Sequence, residues 1–177
     1  ANAVNLVDGL DGLATGIVAI AAGSFFLYSQ ELIDSGIIGE DNIGPLIAVI
    51  ALGICLGFLP HNFNPARIFM GDSGSMLLGY LLGAAAVLGL FKTVTALSLA
   101  VPFLALAVPI LDTGYAIVRR YRTGVSIFLP DRGHLHHFFL DQGLGQKKSV
   151  LVMYGLNTLL GILAIVSTQV TLAKSFM

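Results

Sequence analysis

The chain has 177 residues, of which 56% are hydrophobic and 11% charged, with a net charge of -1 and a mean hydropathy of +0.88. Soluble domains carry roughly 25% charged residues, so a water-soluble globule with a polar shell is excluded, and no basic surface points to nucleic acid. An all-α, polytopic membrane helix bundle remains. The single cysteine, Cys55, lies in an apolar run and reads as a small buried hydrophobe, not half of a disulfide.

The first segment, 2–12, reads NAVNLVDGLDG. It has no basic stretch and no cleavage pattern, so it is not read as a signal peptide. Asn2, Asn5, Asp8 and Asp11 recur every three residues. On a helix, three steps of about 100° fall about 60° short of a turn, so the row drifts round the axis. A 3₁₀ stretch or a break at Gly9 and Gly12 would realign it. Amides beside carboxylates suit a sugar or base edge, or a Mg²⁺ shell completed by water. A helix cap with turn glycines is the bland account, but a cap needs one such residue, not four.

Two apolar spans follow, at about 13–30 and 43–60, separated by a loop holding Glu31, Asp34, Glu40 and Asp41. Next comes His61-Asn62 and then FNPARIFMGDSGS at 63–75. Asp72, between glycines at the start of a third span (75–91), can hold a divalent cation beside free helix N–H groups that favour phosphate. Phe63 or Phe69 could stack on a base, with interface packing as the plainer alternative. Gly79 and Gly83 fit a small-residue packing face. A fourth span, 93–117, carries Pro102 and Pro109, which should kink it, and Asp112, expected to pair with Arg119 or Arg120. The long loop 118–148 holds PDRGHLHH at 130–137. His134, His136 and His137, with Arg132, suit phosphate contact better than zinc, for which the spacing is wrong and no cysteine is at hand. A fifth span runs over 149–170.

Charge sorts the loops. The side bearing the first segment collects Arg67, Arg119, Arg120, Arg122, Arg132, Lys147 and Lys148. The other side has Lys92 and Lys174 among its acids. The positive-inside rule makes the first side cytoplasmic, with loops at about 1–12, 61–74 and 118–148. All three polar segments fall there, as they would around one site for metal and phosphate chemistry.

NxxNxxDGLDGL, FNPAxIFMGDSGS and HLHH, in that order, closely resemble the polyprenyl-phosphate N-acetylhexosamine-1-phosphate transferases, glycosyltransferase family 4, which are related to the phospho-MurNAc-pentapeptide translocase. HLHH looks like the teichoic-acid and enterobacterial-antigen branch. The resemblance implies a Mg²⁺-dependent enzyme (Mn²⁺ as the alternative) of the bacterial inner membrane, with its site at the cytoplasmic face. It would transfer a sugar-1-phosphate, GlcNAc-1-phosphate first, from a UDP-N-acetylhexosamine to undecaprenyl phosphate, release UMP, and so begin a cell-wall or surface glycan such as teichoic acid or lipopolysaccharide. By motif, Asp72 and Asp8 would be metal ligands. Asp8, Asp11, Asp72, His134, His136 and His137 would be catalytic. Asn2, Asn5, Asn62, Phe63, Phe69 and Arg132 would bind substrate. A homodimer fits the same reading. The family also needs an Asp-Asp pair that these 177 residues lack, so the chain is expected to be one transmembrane domain, the C-terminal part of a larger enzyme, and not active by itself. The competing readings are a transporter with a cation path through Asp112 and a non-catalytic lipid-phosphate binder.

Overall fold

Apolar runs in a bilayer must satisfy their own backbone groups, which a helix does within one segment. The computed structural model describes residues 1–90, 103–124, 126 and 133–175, and every element among them is helical. In chain order these are α1 (Asn2–Val7), α2 (Leu13–Asp34), α3 (Ile43–Asn62), α4 (Gly71–Leu90), α5 (Ala107–Thr123), α6 (Leu135–Asp141) and α7 (Gln146–Ser175). Four of them are long and apolar enough to cross a membrane: α2, α3, α4 and α7. The chain is a multi-pass membrane protein with an all-α bundle.

The fourth expected span is only partly described. Residues 93–102, with Pro102, lie outside the described residues. The visible part differs from the expectation in two ways. The helix runs on past 117 to Thr123, and its start is set by a break at Leu106 (φ -110°, ψ 14°). Pro109 therefore falls in the first turn of α5, where a missing N–H costs no intrahelical bond. The polar segments also contain helix: α1 in the first, the opening turn of α4 in the second, α6 in the third. Asp72 in the first turn of α4 suits the positive end of the helix dipole.

Helix α2 is central. Leu13, Ile17, Val18 and Ala22 along it are almost wholly buried. Helices α3 and α4 leave Leu46, Ile50, Ile54, Leu77, Tyr80 and Leu88 exposed, the outward apolar face a lipid-facing helix presents. Close contacts use small residues, including one of the expected pair. A Cβ on Gly79 would press on the backbone of Ala1, whereas Gly83 faces open space. Other tight approaches are Gly44 on Gly89, Gly161 on Ser24 and Gly16 on Tyr154.

Hydrogen bonds fix which ends meet. At one end, Thr15 Oγ1 donates to Asn62 Oδ1 (2.6 Å), Asn64 Nδ2 to Gln146 Oε1 (2.8 Å) and Asn5 Nδ2 to Asp72 Oδ1 (3.0 Å). This end gathers the starts of α2, α4 and α7 with the end of α3. At the other, Asn42 caps α3 by accepting from Gly44 N (2.8 Å) and donates to Gly89 O at the end of α4 (3.1 Å). The first two polar segments thus share one end of the bundle, with the start of α7 beside them.

Candidate active site

The row Asn2-Asn5-Asp8-Asp11 does break. Helix α1 stops at Val7, Asp8 leaves helical geometry (φ -73°, ψ 48°), and Gly12 turns left-handed (φ 80°) to start α2. That turn brings Asp8 and Asp11 onto a cavity of about 290 Å³ shared with Asn62, Phe69, Gly71 and Asp72. The first two polar segments therefore form one wall.

Within that wall the side chains have different duties. Asn5 Nδ2 reaches Asp72 Oδ1 (3.0 Å) and Ser75 Oγ (2.9 Å), tying α1 to the first turn of α4. Asp72 itself remains exposed. Asp8 is half-buried, and burial, then the nearby Asp72 charge, pushes its carboxyl above the usual carboxylate range. One oxygen of Asp11 is committed to the 63–66 loop, accepting from Asn64 Nδ2 (2.9 Å) and Ala66 N (3.1 Å).

Three residues expected to bind substrate have surroundings of their own. Asn62 is buried, and its amide is occupied on both sides: Oδ1 by Thr15, Nδ2 by Ile68 O (3.0 Å). It touches the cavity but holds the loop's shape. Phe63, half-buried, packs over Gly12 and against an apolar cluster with Leu135, Phe139 and Tyr154. Asn2, in the first turn of α1, is exposed and does not line the cavity. Phe69 is the ring left free, 73% exposed at the cavity's edge. Arg132 lies outside the described residues.

The third segment arrives through α6. His136 is 2% exposed, and its ring lies so close to Gly9 that a Cβ there would sit 2.4 Å from Nε2. Its Nδ1 is buried without a hydrogen-bond partner. Burial holds this imidazole down to about 4, with His137 and His134 adding to the effect and Asp112 opposing it, so the ring is neutral near pH 7. His134 stacks parallel to it at 5.7 Å between centroids, and His137 lies tilted at 4.4 Å. His134 also lines a second cavity, of about 620 Å³, with Asp112, Tyr115, Arg119, Phe138 and Leu160.

Asp112 does not take the arginine partner expected for it. Its Oδ2 lies 2.9 Å from His134 Nδ1 and its Oδ1 accepts from Leu135 N (2.7 Å). Arg119 donates to Gly133 O (2.9 Å) and Arg120 to Ser126 O (3.1 Å). The seat that Gly9 makes for His136 also escaped the sequence reading. The motif glycines pointed to turns, and nothing local marks one as a contact surface.

Would these residues suit a divalent cation? Among the described residues, no three His, Cys, Asp or Glu side chains gather closely enough to ligate a metal alone. Mg²⁺ asks for less: it usually binds one or two carboxylates and completes its shell with waters and substrate phosphates. Asp8 and Asp72 share the cavity and repel one another, which a cation between them would relieve. The donor set fits such an ion.

Fold and site together define a multi-pass membrane protein with carboxylates and imidazoles gathered at one end of its bundle. The chain belongs to glycosyl transferase family 4, whose model matches residues 1–90. It is 40% identical, over 97% of its length and 46% of the relative's, to a probable undecaprenyl-phosphate N-acetylglucosaminyl 1-phosphate transferase of Bacillus subtilis. It is 46% identical to a decaprenyl-phosphate N-acetylglucosaminephosphotransferase of Mycolicibacterium smegmatis, over 86% of this chain and 41% of that one. A phospho-N-acetylmuramoyl-pentapeptide-transferase of Staphylococcus aureus is 37% identical over 93% and 47%. The chain spans about half the length of the curated relatives it matches.

Proposed function

We propose that this chain forms the C-terminal part of a polyprenyl-phosphate hexosamine-1-phosphate transferase, working at the cytoplasmic face of a bacterial inner membrane. The donor is a UDP-N-acetylhexosamine, UDP-GlcNAc first, and the acceptor is undecaprenyl phosphate. The carrying observation is the meeting of Asp8 and Asp72 in one cavity, with the histidine helix seated against Gly9. Seven basic residues that the sequence places in the loops on the side of the first polar segment support the cytoplasmic placement.

The reaction joins an oxygen of the lipid phosphate to the β-phosphorus of the donor and breaks the bond to the α-phosphate, so that UMP leaves. Such transfers depend chiefly on placement and charge neutralisation. Asp8 and Asp72 would hold Mg²⁺, with Mn²⁺ as substitute; when bound, the ion supplies positive charge to the diphosphate oxygens. Asn5 keeps Asp72 turned toward the cavity. Phe69 offers its exposed ring to the uracil. His136, neutral and buried, presents an uncharged imidazole beside the Asp8 turn, while His134 and His137 flank it where the sugar diphosphate would extend. Asp11 and Asn62 hold the 62–68 loop that shapes the pocket.

Asp112 fits this reading better than a cation path, since both of its carboxylate oxygens are engaged, by His134 Nδ1 and Leu135 N. The test is release of UMP from UDP-GlcNAc by the complete protein in membranes. Release should require both undecaprenyl phosphate and Mg²⁺. UMP release without the lipid, or none under any pairing of UDP-sugar and lipid phosphate, would refute the reading.

A further inference from the structure

We infer that Asp112 is a positioning residue of the active site, setting both the tautomer of His134 and the place of the histidine helix. The inference rests on the function proposed above. Asp112 is 8% exposed and His134 is 9% exposed, so water competes little for either. A carboxylate only accepts hydrogen bonds. With Oδ2 at 2.9 Å, Nδ1 of His134 must carry a proton, so that whenever the ring holds a single proton Nε2 is the acceptor.

The second oxygen has a separate task. Residue 134 stands at the N-terminal cap of α6 but makes no side-chain cap bond. Asp112 Oδ1 takes the first helical N–H instead, from Leu135 at 2.7 Å. One carboxylate from α5 thus fixes the start of α6 and one imidazole on it. Because α6 then sets His136 against Gly9, the clamp reaches both the 620 Å³ cavity and the Asp8 turn.

Asp112→Asn keeps the size but replaces one acceptor with an NH₂ donor. The amide then donates to Nδ1 and moves the proton of His134 to Nε2. In the complete enzyme, kcat should fall about 10- to 100-fold, the usual effect of losing an outer partner of a site imidazole. KM for UDP-GlcNAc and melting temperature should stay close to wild type. Asp112→Glu, which keeps two acceptors, should recover part of the loss. In a His134→Ala background, Asp112→Asn should cost little more, because the two act as one unit.

The tautomer is also read without turnover. ¹⁵N NMR of the histidine-labelled protein should show His134 protonated at Nδ1 in wild type and at Nε2 in Asp112→Asn. Finding Nε2–H in wild type would overturn the inference, as would additive losses in the double variant. If wild type released no UMP at all, the function reading would fall, while the NMR result would still decide the clamp.

Discussion

Gly9 and His136 are in direct contact: the imidazole occupies the space where any other residue at position 9 would carry its Cβ. The first and third polar segments, more than a hundred residues apart, join at that point. Gly9 does not adopt a positive φ, so alanine there would be barred by the ring and not by the backbone. Gly9→Ala should therefore displace α6 and lower kcat about 100-fold, the scale of an ångström-sized misplacement at a reacting centre. Steady-state UMP release in membranes checks it, and an unchanged kcat would remove His136 from the site.

The same burial predicts a pH dependence of stability. In the unfolded chain His136 titrates near its ordinary value of 6.5, and in the fold at about 4. Between these values the unfolded state binds the extra proton, so stability is full above pH 6.5 and is lost as pH falls toward 4. The shift corresponds to about 3 kcal/mol at its limit. Detergent-solubilised wild type should melt progressively earlier across that window, and His136→Phe should flatten the slope.

Asp8 and Asp72 should be linked through charge. Removing the Asp72 charge takes away one of the two causes that raise the Asp8 carboxyl, the smaller one. In EDTA-treated protein, Asp72→Asn should lower the Asp8 pKa while leaving it above the ordinary range, because burial persists. Carboxyl ¹³C titration measures this directly. The same variant should lose about 100-fold or more in turnover, the scale of removing a charge-stabilising group.

Asp11 should behave as a structural acid. Its Oδ2 holds Asn64 and the Ala66 amide, and breaking bonds to a charged group costs about 1.5–3 kcal/mol. Asp11→Ala should destabilise by that order. Asn64→Ala should weaken the same loop, and the pair should be less than additive. Thermal melts of the four proteins form the cycle.

The spans were legible because hydropathy over some twenty residues is a coarse, local property. The side shared by the polar segments was legible because charge alternates between loops. Individual duties were not. Asn62 and Phe63 sit in the same motif as Asp72, yet one amide faces Thr15 and Ile68 and one ring faces Gly12, choices made by the rotation of α3 against α2. Asp112 looked like an arginine's partner because Arg119 lies nearby in sequence. Its real partner is 22 positions away, brought over where the start of α6 meets α5. Asn2 belonged to the repeat on paper, but it stands exposed in the first turn of α1, while the break after Val7 carries Asp8 and Asp11 onto the cavity.

Paramagnetic relaxation from Mn²⁺ tests the central claim most directly. With Mn²⁺ and UDP-GlcNAc on the complete protein, the imidazole signals of His134, His136 and His137 should broaden together, and Asp72→Asn should abolish the effect. Bound Mn²⁺ that left those three signals sharp while still requiring Asp72 would mean that the histidine helix and the carboxylate cavity do not form one site.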